Sequence, residues 1–181
     1  MRKARTRIAL TAALAGTTAL AGCSEQEKAA EAQLPERTCF EVFTRSDLAP
    51  LLGNGDVVKV SAPSDLRLTA ERRGATCTVD VDGRVSFVAS ATRQPLDQSF
   101  FWNPELIKPA PDPLPLGEKG IVYDTGARVL LVCRGPKDSF QVELSLSGSI
   151  DHVGRGQSRP LFSELMRKFV PVATEQTTCG S

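Results

Sequence analysis

From Phe140 to Ser147 apolar and polar residues alternate without a break, with Phe140, Val142, Leu144 and Leu146 on one side and Gln141, Glu143, Ser145 and Ser147 on the other. A period of two is the pattern of a half-buried strand. The run before it, GARVLLVCRG (126–135), is continuously apolar at its centre and predicts a buried strand, joined to its neighbour by a hairpin through Gly135, Pro136, Lys137 and Asp138. Four more strands are expected upstream, over Val57 to Ala62, Asp65 to Ala70, Ala75 to Val81 and Arg84 to Ala91. Asp82-Gly83 separates the last two and suits a two-residue turn whose central positions both need positive φ. Read as the start of a calcium loop instead, Asp80 and Asp82 lack the remaining ligand positions and the distal Glu.

Two segments switch to helical spacing. TRSDLAPLLGNG (44–55) offers Thr44 or Ser46 as a cap, an apolar run through Leu48, Leu51 and Leu52, and Gly53 as a stop, with Pro50 limiting its length. Near the C-terminus Leu161, Phe162, Leu165, Met166 and Phe169 form an apolar stripe, which Pro171 is expected to close or kink. Between Thr92 and Lys119 five prolines, at 104, 109, 111, 113 and 115, predict a long irregular connector. The order is helix, strands, connector, strands, helix, a weak pseudo-repeat in mirrored order. It predicts an α+β domain, a mainly antiparallel sheet with a short N-terminal and a longer C-terminal helix on one face.

The N-terminus is different in kind. Arg2, Lys3, Arg5 and Arg7 precede an uncharged stretch from Ile8 to Gly22, too short to span a bilayer as a helix, and together these form the pattern of a signal peptide over residues 1–22. Leu20-Ala21-Gly22-Cys23 resembles the lipobox of bacterial lipoprotein precursors. The resemblance implies that the Cys23 thiol receives a diacylglyceryl group before cleavage ahead of it, with further acylation, such as palmitate, securing the anchor. Two or more chains hold a protein stably where one does not. The competing reading is an ordinary signal peptide with a cysteine nearby. Residues 23–36 then form a lipidated tether, polar from Ser24 and without a large apolar residue before Leu34. Residues 37–181 form a single extracytoplasmic domain.

Removing the leader's four cations leaves 18 basic against 21 acidic residues. A faintly acidic chain is a poor match for nucleic acid. Membrane attachment is therefore expected to come from the lipid and not from charge. Cys39, Cys77, Cys133 and Cys179 remain, an even set consistent with an oxidising compartment. Four cysteines allow three pairings; we expect Cys39 with Cys77 and Cys133 with Cys179, two disulfides that each join a cysteine near a helix to one in a strand. Free thiols and mixed pairs are the alternatives. The absence of a CxxC pair, with a single histidine, argues against a thioredoxin-like site and the common zinc patterns, so neither a metal nor another cofactor is expected.

Catalytic motifs are absent. His152 follows Asp151, but neither Ser149 nor Ser158 lies in a nucleophile elbow, and no SxxK, HExxH or phosphate-binding loop occurs. Paired carboxylates remain open, because their separation is a spatial property, and Glu105, Glu118 and Asp124 are the first to compare. Phe100, Phe101 and Trp102 open the connector and are either core or a binding patch. The expected function is a lipid-anchored, non-enzymatic binding or accessory module of the cell envelope, with an envelope protein or glycan as partner. An enzyme acting on cell-wall polymer is the alternative. The layout from Cys39 to Cys179 is also similar to envelope lipoproteins of high-GC Gram-positive bacteria whose small cysteine-paired domains have no assigned activity.

Overall fold

A computed structural model describes residues 29–69, 71–93, 107, 109–133, 139–147, 153 and 156–177. Cys23, Phe100, Phe101, Trp102, Glu105, Ser149, His152 and Cys179, and the expected hairpin loop 135–138, lie outside the described residues. The elements are β1 (Arg37–Thr38), β2 (Phe43–Thr44), α1 (Arg45–Leu52), β3 (Val58–Ser61), β4 (Gly74–Val81), β5 (Arg84–Arg93), β6 (Asp112–Pro113), β7 (Lys119–Tyr123), β8 (Gly126–Val132), β9 (Ser139–Leu146) and α2 (Ser158–Gln176). The class is α+β, as expected. Strands β3 to β9 form one antiparallel sheet in the order β3-β4-β5-β9-β8-β7-β6, and β1 pairs with β2 separately.

Two meanders meet at the middle of this sheet. β3-β4-β5 comes from the first half and β6-β7-β8-β9 from the second, and β5 pairs with β9 from Phe87↔Leu146 to Arg93↔Phe140. Asp82 and Gly83 carry φ values of 51° and 76°, the turn that their dipeptide predicted. α1 begins at a Thr44 cap: the Thr44 hydroxyl accepts from the Asp47 amide and the Asp47 carboxylate accepts from the Thr44 amide. Gly53, with φ 66°, ends it.

One face of the sheet carries the main core. Cys77 and Val79, Phe87, Ala89 and Ala91, Val142 and Leu144, and Val129 and Leu131 pack with Leu48 and Leu51 of α1 and with Phe162, Leu165, Met166 and Phe169 of α2. Fully burying a side chain of this kind contributes about 1.5–3 kcal/mol. Phe43 is wedged between sheet and helix, edge-on to Phe87 at 5.7 Å and tilted against Phe169 at 5.8 Å, while Phe40 stacks on Phe169 at 6.1 Å.

Cys39 and Cys77 form a disulfide, as expected, tying the β1–β2 turn to β4. Closing 38 residues stabilises by about 3–4 kcal/mol on chain-entropy grounds. Cys133 is also disulfide-bonded.

Four expectations need correction. The segment before residue 37 is not a solvated tether throughout. Residues Ala30–Gln33 form a 3-10 turn, Ala30 and Leu34 are buried, the Ala30 amide donates to the Gly53 carbonyl, and Arg45 donates through Nε and Nη2 to the Leu34 carbonyl. Two apolar side chains seated beside α1, with their backbone paired, are enough to fold a polar stretch. The described fold thus starts at Ala29.

Asp65 to Thr69 is not a strand. Leu66 and Leu68 are buried, but partners other than a neighbouring strand take the backbone groups: the Leu66 amide donates to Gln176 Oε1 at the end of α2, the Thr69 amide to the Arg72 carbonyl, and Arg72 Nη2 to the Asp65 carbonyl.

Of the two effects expected of Pro171, closing or kinking the last helix, the closing does not occur, because the helix runs on to Gln176. Ala173, buried one turn beyond Phe169, and Thr177, whose hydroxyl donates to the Ala173 carbonyl, hold the final turn. Lastly, the connector yields a short edge strand, β6, and the chain enters β7 at Lys119, before the strand that the apolar run predicted.

Candidate functional site

Three groupings of polar side chains stand out from the scaffold. The first lies on the sheet face opposite the helices. The pairings Leu130↔Gln141, Arg128↔Glu143 and Ile121↔Arg128 bring alternate residues of three strands side by side. Arg128 Nη2 is 2.9 Å from Glu143 Oε1, Gln141 Nε2 donates to Glu143 Oε2 at 3.2 Å, and the Tyr123 hydroxyl donates to Glu143 Oε1 at 3.5 Å. The Arg128 guanidinium lies 5.7 Å from the Tyr123 ring centroid.

Ile121, Tyr123 and Leu130 form a small apolar cluster beside these groups, with Ile107 of the connector packed on it. Burial, and then the neighbouring Glu143 charge, push the Tyr123 phenol up to about 12. The face expected to be polar and solvated is therefore partly closed here: Ser139 and Gln141 are buried, and Arg128 and Glu143 are about three-quarters covered. The Glu143 carboxylate is thus held in place by a guanidinium, an amide and a phenol at once.

The second grouping surrounds Arg159, in the first turn of α2. Arg159 Nε donates to Asp124 Oδ1 at 2.6 Å, and Nη1 is 2.9 Å from Asp112 Oδ2. Asp124 was a candidate for a catalytic carboxylate pair. It does share a neighbourhood with a second carboxylate, but a guanidinium stands between them, so the arrangement clamps β6 and the β7–β8 turn onto α2. Glu118 shows no such grouping; its amide joins the backbone carbonyl of Leu130. Ser158 is buried at the start of α2.

The third is a concave site of about 650 Å³ lined by Glu31, Glu36, Thr44, Arg45, Ser46 and Ala49. The 3-10 turn supplies Glu31, the strand approach supplies Glu36, and the capped start of α1 supplies the rest. Its size lies in the range of small-ligand sites. Two carboxylates, one guanidinium and two hydroxyls line it. This site was not visible in the sequence, where Glu31 and Glu36 belonged to an expected tether. The local signal in the sequence was the apolar pair Ala30 and Leu34, four residues apart.

Among the described residues no cluster of His, Cys, Asp and Glu could hold a metal ion, and no helix is long and apolar enough to cross a membrane. No protein-family model, curated protein or solved structure matches this chain.

Proposed function

We propose that this protein is a lipid-anchored module of the cell envelope, attached through Cys23 on the extracytoplasmic side of the membrane, which binds or assists a partner. The observation that carries the reading is the Cys39–Cys77 disulfide, formed between two cysteines that are at most 2% exposed. Structural disulfides of this kind belong to exported proteins, and the lipobox-like stretch supplies the route of export and the point of attachment. Cys133 pairs with Cys179 in this account, the second disulfide of an exported domain.

A partner reading rather than a catalytic one is favoured by how the charged side chains are used. Glu143, Asp124, Asp112 and Asp47 are each held by a cation. Held carboxylates of this sort are suited to fixing a surface. The test is export of the protein in a lipobox-processing bacterium, followed by detergent-phase partitioning and intact mass, with crosslinking from whole cells to capture the partner. A mature chain that lacks lipid on Cys23 contradicts the anchor, and a crosslinking pattern identical to that of an unrelated lipoprotein contradicts the partner.

One observation favours a second reading. Glu31 and Glu36 line the same concave site, and two carboxylates facing one cavity are the minimum for hydrolysis of a wall glycan. Release of soluble fragments from purified cell wall, abolished by Glu31→Gln or Glu36→Gln, would establish it; no release by the wild-type protein would remove it.

A further inference from the structure

Resting on the lipid-anchor reading, we propose that the loop Gly53–Val57 and the turn Asp82–Val85 form a membrane-contact edge, which lays this end of the domain on the bilayer surface. The first observation is the number of residues between Cys23 and the described fold. The fold holds the chain from Ala29 onward: Ala29 bridges Asn54, the Ala30 amide donates to Gly53, and Gln33 Nε2 donates to the Gly55 carbonyl. Only Ser24 to Lys28 then separate Ala29 from Cys23, a span of roughly 20 Å at full extension. The loop that receives Ala29 is thereby kept next to the membrane.

The second observation is where the apolar surface lies. Among the described residues the exposed large hydrophobic side chains are Val57, at 62%, and Val85, at 41%. Both belong to this edge. The Asp82 carboxylate accepts from the amides of Asp56 and Val57, and the Asp82 amide donates to the Val57 carbonyl, so loop and turn are stitched together. An isolated exposed valine needs no explanation. Two on adjoining segments, next to the residue from which an anchored chain must depart, match a surface that meets lipid.

Charge is nearly balanced along the edge, with Lys59 and Arg84 beside Asp56 and Asp82. The contact is therefore apolar in character and independent of anionic lipid. Two valines would be too little to recruit a free protein to a bilayer. Tethering raises the effective concentration of the edge at the surface, which makes a weak contact sufficient to orient the domain.

The test uses the full-length lipidated protein in phosphatidylcholine vesicles whose acyl chains carry bromine, a short-range quencher. Trp102 is the single tryptophan, so in a Trp102→Phe background a tryptophan can be placed by Val57→Trp, by Val85→Trp or by Thr92→Trp. Thr92 is exposed and pairs with Gly74 at the opposite end of β4, about 25 Å along the strand. The expected result is loss of most of the emission and a blue shift for the first two, and neither for the third. Protein that floats with the vesicles but shows equal, weak quenching at all three positions overturns the docking edge while leaving the anchor intact. Protein that fails to float overturns the anchor, and the docking edge with it. The two valine positions are exposed and independent, so loss of folding in one variant leaves the other to decide.

Discussion

Lys168 of α2 places its ammonium nitrogen 2.6 Å from Asp47 Oδ1 of α1, joining two residues 121 positions apart. The same carboxylate closes the α1 cap through its second oxygen, which accepts from the Thr44 amide. One side chain therefore serves the start of one helix and its attachment to the other. Burial pushes the Asp47 carboxyl up, but the Lys168 ammonium and the donors of Thr44 outweigh it and hold it below the usual carboxylate value.

From this follows a pH dependence. Because the folded state lowers the Asp47 pKa, its contribution is fully present above the unfolded value near 4 and is lost as pH falls through the lower folded value. Asp47→Ala is expected to lower stability by about 1–2 kcal/mol at neutral pH, with a shrinking difference from wild type below pH 4. Urea unfolding at pH 7 and pH 3 measures both. An unchanged difference at pH 3 would contradict the role given to the carboxylate.

Tyr123 titrates in the opposite sense. The folded state raises its phenol to about 12, through burial first and Glu143 second. The preference for the neutral phenol is intact below about pH 10, the unfolded value, and is lost as pH rises toward the folded one. Tyr123 is the single tyrosine, so absorbance near 295 nm reports it alone. Glu143→Gln is expected to lower the midpoint while leaving it above the free value, since burial remains. A wild-type midpoint near 10 would contradict the enclosed setting of the ring.

Cys39, Phe40 and Glu41 all have positive φ, at 49°, 65° and 62°, without a glycine among them. An L-residue in this region costs about 1–2 kcal/mol. Disulfide formation at Cys39 and the stacking of Phe40 on Phe169 hold the turn against that cost. Glu41 is exposed, so Glu41→Gly is expected to stabilise the fold by about 0.5–1 kcal/mol after the flexibility cost of glycine, whereas Glu41→Val should destabilise it. Thermal unfolding of the two variants decides this, and a loss of stability in the glycine variant would contradict it.

Arg159 holds two carboxylates, Asp112 of β6 and Asp124 of the β7–β8 turn. Arg159→Met is expected to speed hydrogen exchange across β6 and β7 and to leave β4 and β5 unchanged. Mass-resolved exchange that changes uniformly over the sheet would mean that Arg159 serves the whole fold and not its edge.

How much of this was legible in the sequence depended on whether the signal was local. Asp82-Gly83, the helix cap expected at Thr44 or Ser46 and found at Thr44, and the alternation of β9 each act within a few residues. The stripe of α2 was equally plain, but Pro171 was a misleading stop, because Ala173 and Thr177 restore contacts beyond it. The 3-10 turn at Ala30 was hidden for the opposite reason: its two buried residues gain their partners only from α1 and the loop after it. The Tyr123, Arg128, Gln141 and Glu143 group takes its members from three strands, and the Glu31, Glu36 and Arg45 site takes its members from the 3-10 turn, the approach to β1 and the start of α1, which only the fold brings together. The pairing of Cys39 with Cys77 was one of three choices and was favoured only by the idea that a helix-flanking cysteine meets a strand.

The most direct test of the account is the fate of Cys23. Wild-type protein and Cys23→Ala would be expressed in a lipobox-processing bacterium, partitioned between detergent and aqueous phases, and weighed intact. The account predicts that the wild-type chain begins at Cys23, carries the mass of its acyl groups and enters the detergent phase, while the alanine protein stays aqueous or unprocessed. Equal partitioning of the two, or a wild-type mass without lipid, would contradict it.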